Sequence, residues 1–399
     1  MNKLIRIILV LLCAINISNI FYNTKKIDDK DSFNSSGNSI SLYLSIILFI
    51  VTIITAVLSF YRIKFPRAFV FLNCFLFLLM ATFFVNIISP NAYSEINNYV
   101  RFLLGLLFFY IFYHGLSRDN NIYMQLFVIT FILQIAVKIV FENIIFYGSV
   151  SNVDFFSDSA AKSVPIIIPL IFLMFKPKVS FFFFLFCSAI VLFSTRRTAI
   201  LGMMINFLLL WPIVKERTNK TIMSVFLIMS IVVVLIIWQY MGDALVLKMQ
   251  DMLNGTKDYR GKVLYGSGRS DFWLAILNDY TSKPLNIFIG NGLGSVHEFY
   301  SRKYTLSLGH AHNDIIEIMY TFGLLGLFIW LSFFCSATKN INLNVYTRNH
   351  KLFICISVVY LFVALSSGTI FGNAFWVFTI TYSLLLKSIT TKKKEFEIL

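Results

Sequence analysis

Apolar runs long enough to cross a bilayer recur along this whole chain, and that feature decides the fold class. A helical crossing needs about 20 predominantly apolar residues. Such runs are expected near residues 4–22, 40–61, 67–89, 99–115, 122–146, 163–176, 179–194, 197–216, 221–241, 314–337, 350–366 and 369–387. The sixth and seventh are short and flank Lys176-Pro177-Lys178. Only 13% of residues are charged and 58% are apolar, whereas a soluble domain carries about 25% charged residues. A membrane β-barrel would show short strands of alternating polarity, which continuous apolar runs are not. The expected fold class is an all-α polytopic membrane protein of about 12 transmembrane helices, with one large outer loop containing short helices.

The net charge of +15 would suggest a nucleic-acid partner on a soluble protein. Here the basic residues cluster in short loops between runs, where they set topology. With the N-terminus in the cytoplasm, inner loops carry Arg62, Lys64, Arg67, Arg118, Lys176, Lys178, Lys215, Arg217, Lys220, Lys339, Arg348 and Lys351, and the C-terminal tail adds Lys392, Lys393 and Lys394. The outer loops 89–98 and 147–161 have no Lys or Arg, and the second is acidic at Asp154 and Asp158. Both termini are therefore expected inside, and no nucleic acid is expected as a partner. The first run follows Lys3 and Arg6 with no clear small-x-small cleavage site, so it reads as a retained span rather than a signal peptide. The five cysteines (Cys13, Cys74, Cys187, Cys335, Cys355) lie in apolar runs and read as small core hydrophobes.

One outer turn opposes the charge rule. Ser194-Thr195-Arg196-Arg197-Thr198 joins the seventh and eighth runs with two arginines. They either snorkel to headgroups or bind an anion. Residues 242–312 form the largest outer segment, giving a division into 1–241, 242–313 and 314–399. It opens on an amphipathic patch at Leu245, Leu247, Met249, Met252 and Leu253, suited to a membrane surface. Gly268-Arg269-Ser270-Asp271-Phe272-Trp273 then leads into a short expected helix through Leu277. The run Gly290-Asn291-Gly292-Leu293-Gly294 has no strand–helix–strand unit around it, so it reads as close backbone packing or a turn, not a nucleotide loop. Lys138 and Glu142, four apart, read as a mutually neutralising pair facing the bundle interior. No internal repeat marks the two halves of a transporter.

The densest polar sequence precedes the tenth run: His310-Ala311-His312-Asn313-Asp314, followed by Glu317. Ionisable groups at the mouth of a span are costly and suggest a site. The spacing of Asp314 and Glu317 predicts a capping box with Asp314 as N-cap. His312 would then sit beside a helix N-terminus that favours an anion. The bland alternative is an interfacial histidine satisfied by Glu317 or backbone. A metal site from His310, His312 and Asp314 would lack a third firm ligand, so no metal is expected.

These residues resemble the O-antigen polymerase / O-antigen ligase family of bacterial inner-membrane glycosyltransferases. His310-Ala311-His312-Asn313, then Glu317 and Gly323-Leu324-Leu325-Gly326, is similar to the family's His-Asn…Glu…Gly-Leu-x-Gly segment. Gly268-Arg269 with Trp273, then Gly290 and Gly292, is similar to the arginine and Gly-x-Gly segments of its large periplasmic loop. Ser194-Thr195-Arg196-Arg197-Thr198-Ala199 is similar to its Ser-Arg-small stretch. The motifs cover roughly residues 190–335 and agree in order and side.

The resemblance implies a metal- and cofactor-independent transfer at the periplasmic face of the inner membrane. The donor is a glycan on undecaprenyl pyrophosphate. The acceptor is the next lipid-linked repeat in a polymerase, or lipid A-core in a ligase. His312 would be the general base, with Glu317 beside it. Arg197, or Arg196 in its doublet, and Arg269 would hold the pyrophosphate, with His310 and Asn313 in support. Membrane lipids and a regulator of chain length complete the expected partners.

The chemistry suits these residues. Pyrophosphate leaves readily, so charge compensation and proton removal are what the site must supply. Arginine grips phosphate oxygens bidentately and stays charged. A histidine base contributes about 10²–10⁴-fold. Asp314 or Glu317 could orient the imidazole. The His-x-His-Asn form leans towards a ligase, and the Phe-, Ile- and Asn-rich composition leans towards a polymerase, which is the reading adopted. A transporter of lipid-linked sugars is the rival from another class. It should carry broken helices and charge at the bilayer midplane, whereas this sequence concentrates polarity in one outer segment.

Overall fold

The computed structural model describes residues 92–114, 121–140, 158–193, 197–215, 256–257, 263–264, 269–282, 284–292, 294–304, 311–338, 348–368 and 373–396, with scattered helical positions at 7–8, 10–13, 47, 50–52, 224 and 235. Apart from short turns, the described residues are helical except for a two-residue antiparallel ladder, β1 (Thr256–Lys257) with β2 (Val263–Leu264). The helices are α1 (Ala92–His114), α2 (Asn121–Val140), α3 (Asp158–Met174), α4 (Pro177–Phe193), α5 (Arg197–Lys215), α6 (Arg269–Thr281), α7 (Pro284–Ile289), α8 (Ser295–Tyr304), α9 (Asp314–Thr338), α10 (Arg348–Ser367) and α11 (Asn373–Phe396). Among the described residues, three stretches are long and apolar enough to cross a membrane: Thr198–Lys215, Asp314–Cys335 and Arg348–Ser367. Five shorter apolar helices join them. The expected runs 4–22, 40–61, 67–89 and 221–241, the amphipathic patch from Leu245 to Leu253, and Glu142 lie outside the described residues, except for those scattered positions.

The bundle is built from α1, α3, α5, α10 and α11, with α11 packing on α1 and α3, and α10 packing on α5 and α3. Its interior is unusually aromatic. Tyr360 and Phe378 stack at 3.6 Å between ring centroids, and Phe334, Trp330 and Tyr382 close around them. Without a hydrophobic drive between helices in lipid, such close contact supplies the association. Small residues let backbones meet: a Cβ at Gly202 would lie 3.0 Å from Pro165. Asn206 donates to Pro165 O at 2.7 Å, taking a carbonyl near the two prolines of α3. Of the cysteines, Cys13, Cys187 and Cys355 are buried as expected, whereas Cys335 is exposed and Cys74 lies outside the described residues.

α9 is not the straight span that its sequence predicts. Gly323 has φ 69 and ψ −170, which breaks the helix. Straight, the 20 residues from Asp314 to Phe334 would span roughly 30 Å. Yet Tyr360 reaches both: its hydroxyl lies 3.4 Å from Asp314 Oδ2, and its ring centroid lies 6.1 Å from that of Phe334. The break therefore folds residues 314–322 back over the bundle. Ile318 and Phe322 join the membrane core, while Ile316 and Tyr320 join a second, outer core with Phe272, Ile276, Tyr280 and Val296.

Candidate functional site

The site is the turn Ala311-His312-Asn313 that leads into α9, and three helices hold it. From α6, the Trp273 indole donates to Ala311 O at 2.7 Å. From α9, Glu317 Oε2 accepts the Ala311 N–H at 2.6 Å. From the end of α10, Gly368 (φ +65) comes so close that a Cβ there would lie 3.0 Å from His312 Cα. Gly368 is the left-handed residue that ends α10, and Gly is the usual choice there. Both polar groups of buried Ala311 are thus occupied, and the turn is clamped rather than draped.

His312 itself has φ 55, the only positive φ at a non-glycine among the described residues. This left-handed conformation costs on the order of 1 kcal/mol or more and persists only where surroundings impose it. The clamps just described are those surroundings. Such outliers concentrate at functional sites.

The helix start differs from the capping box expected. Asn313, not Asp314, is the N-cap: its Oδ1 accepts the N–H groups of Ile315 (3.0 Å) and Ile316 (3.2 Å). Asp314 is the first helical residue and is fully buried against the Tyr360 hydroxyl. Glu317 reaches back to the N–H of Ala311, two residues before the N-cap whose N–H a capping box would bond. Asn and Asp cap equally well; Asn313 takes the role here because Asp314 is drawn inward to Tyr360. The consequence is chemical. Two N–H donors at the helix start are already used by the cap, so they are not open to an anion.

The basic residues approach from the same end of the bundle. Arg269 is the first residue of α6, one turn before Trp273. Arg197 is the first residue of α5, five before Gly202, which packs on Pro165 and Val363. Ser367 lies four residues beyond Val363 on α10, next to Gly368. The backbone thus brings the starts of α5 and α6 to the end where His312 sits. The side chains of Arg197 and Arg269, together with Arg196 and His310 entirely, lie outside the described residues. Lys138 lies on α2 with its side chain likewise outside them.

One basic residue was not among the sequence candidates. Lys162 on α3 is only 5% exposed, and its Nζ donates to Ser367 O at 3.2 Å, beside the glycine that touches His312. Its signal was available: it directly follows 147–161, a loop expected on the side where the charge rule disfavours lysine. Lys162 and Asp314 are both buried, the first bonded to Ser367 next to Gly368 and the second two residues after His312. Among the described residues no cluster of three His, Cys, Asp or Glu could hold a metal.

The glycine run also finds its place. Asn291 N donates to Tyr320 O at 2.8 Å and Gly292 N to Thr321 O at 2.9 Å. These are carbonyls that the break at Gly323 releases from the helix ladder. A Cβ at Gly290 would lie 2.2 Å from Thr321 O, and one at Gly323 would lie 2.3 Å from Phe288 O. Close backbone packing is therefore what these glycines provide.

A search of curated proteins finds no match to this chain. A family model described as O-antigen ligase matches residues 182–331, which include the helix pair around Arg197, the outer helices α6–α8 and the His312 turn. Over that segment, less than half of its length, the chain is similar to the O-antigen ligase family.

Proposed function

We propose that this protein is an O-antigen polymerase of the inner membrane, working at the periplasmic face. It transfers a glycan from undecaprenyl pyrophosphate onto a lipid-linked repeat unit. The observation that supports this most is the clamped left-handed turn at His312, together with the buried Lys162 and Asp314, at the end of the bundle where α5 and α6 begin. The acceptor hydroxyl oxygen bonds to the donor's anomeric carbon as the bond from that carbon to phosphate oxygen breaks. Undecaprenyl pyrophosphate leaves with the electron pair, and His312 takes the hydroxyl proton. Arg197 or Arg196, with Arg269, compensates the pyrophosphate charge. Glu317 holds the turn through Ala311, and Asn313 fixes the helix start. His310 assists at the rim. The reaction uses no cofactor.

The second reading is a ligase, which makes the same bond to lipid A-core. The matching family's description as O-antigen ligase favours it, as does the His-x-His-Asn form. A transporter of lipid-linked sugars would also use a broken helix. Here, however, the carbonyls opened by the break are occupied by Asn291 and Gly292.

A lipopolysaccharide gel of a strain carrying His312→Ala tests this. A polymerase leaves core plus one repeat. A ligase leaves bare core with polymer retained on the carrier. An unchanged ladder removes His312 from the mechanism.

A further inference from the structure

We propose that α7 and the glycine loop after it form a re-entrant segment, whose exposed face lies against the acyl chains of the surrounding bilayer. The argument starts from length. Below the break, residues 324–338 give α9 15 residues, roughly 22 Å of helix. The hydrocarbon core is about 30 Å thick. Lys339 follows directly in sequence and fixes the inner boundary. About 8 Å of the apolar layer therefore extends outward past Gly323. Whatever packs on the break lies inside that layer.

α7 packs there. Its Phe288 carbonyl sits against Gly323, and its following loop bonds Tyr320 O and Thr321 O. Asn291 is locked in place by its own side chain, which donates to Tyr320 O at 3.2 Å and accepts from Asn286 at 2.5 Å. Irregular backbone at hydrocarbon depth persists only where protein satisfies its polar groups, and these bonds meet that requirement.

The outward face completes the case. α7 carries no charged residue and has no buried side chain. Leu285, Phe288 and Ile289 are 70%, 64% and 51% exposed. Leu324, Leu325, Phe328 and Leu331 on the adjoining part of α9 are exposed too. The backbones that carry the two sets meet where the Phe288 carbonyl lies against Gly323. On a water-facing loop such a patch would be a liability. Continuous with the outer side of a span, it fits lipid.

The test places the photo-reactive residue benzoylphenylalanine at position 288, 285 or 328 of the full chain, with position 274 as comparator. Leu274 is 59% exposed, but it lies on α6, outside both α7 and α9. Because these side chains are exposed, the replacements leave the packing intact. The protein is irradiated in nanodiscs of phosphatidylethanolamine and phosphatidylglycerol, and its intact mass is read. Positions 285, 288 and 328 should gain the mass of one phospholipid, and position 274 should not. The proposal is overturned if 285 and 288 behave like 274, or if they join a second copy of the chain instead of lipid.

Discussion

Gly323→Ala puts the broken span to its most direct test. At φ 69 and ψ −170, Gly323 occupies a region essentially reserved for glycine. Another residue there costs on the order of 1–3 kcal/mol. The new methyl would also meet Phe288 O at 2.3 Å and Gly290 N at 2.6 Å. Both are backbone atoms, so relief requires the loop to move. That movement breaks the bonds from Asn291 N to Tyr320 O and from Gly292 N to Thr321 O, each worth roughly 0.5–1.5 kcal/mol. Together the loss is on the order of 2–6 kcal/mol. Gly202→Ala is the comparator, because Gly202 is helical and the nearest atoms to its methyl would be side-chain ones, of Pro165 at 3.0 Å and of Val363 at 3.6 Å. The helix gain of up to about 1 kcal/mol there offsets the squeeze. Melting of purified protein in detergent should place Gly323→Ala on the order of 10 °C below wild type and Gly202→Ala close to it. Equal melting of the two variants would refute the claim that glycine geometry at the break holds α7 and α9 together.

Four further outcomes follow from the same geometry. Asn313→Ala should cost about 1 kcal/mol through the lost cap, and Asn313→Asp should restore most of it, both read by melting temperature. Trp273→Phe keeps the ring but drops the donor to Ala311 O. It should reduce polymer on a lipopolysaccharide gel while shifting melting by only about 1 kcal/mol equivalent. Lys162→Met removes a buried charged donor to Ser367 O, worth roughly 1.5–3 kcal/mol. Lys162→Arg should recover glycan output better than Met if the charge matters, and equal output from the two would show that only packing counts. Tyr280 lies in the outer core and donates to Ile287 O at 2.5 Å. Burial raises its pKa above the ordinary 10.0, with a smaller opposing effect from a backbone contact at Leu324. An acid whose folded pKa is raised stabilises the fold below its unfolded pKa and loses that contribution as pH rises through it. Melting of wild type should therefore fall above pH 10 more steeply than that of Tyr280→Phe.

The sequence by itself determined the class of the molecule. Long apolar runs oblige backbone hydrogen bonds to close within each segment, so helices at α3, α4, α5, α9, α10 and α11 were legible to within several residues. The helix after Arg269 and the close packing of the glycine run could also be read, because each rests on local residue chemistry. Tertiary structure decided the rest. The break at Gly323 forms because carbonyls of Tyr320 and Thr321 find donors at Asn291 and Gly292, 29 residues earlier in the chain. Hydropathy counts apolar residues and is blind to such a partner. Asn313 displaced Asp314 as the cap because Asp314 is drawn inward to Tyr360, a pairing across 46 residues. Lys162 reached Ser367 only once α3 and α10 packed together. Local propensity fixes what a segment can become, but strain and buried charge are tolerated only where distant groups arrive to compensate them.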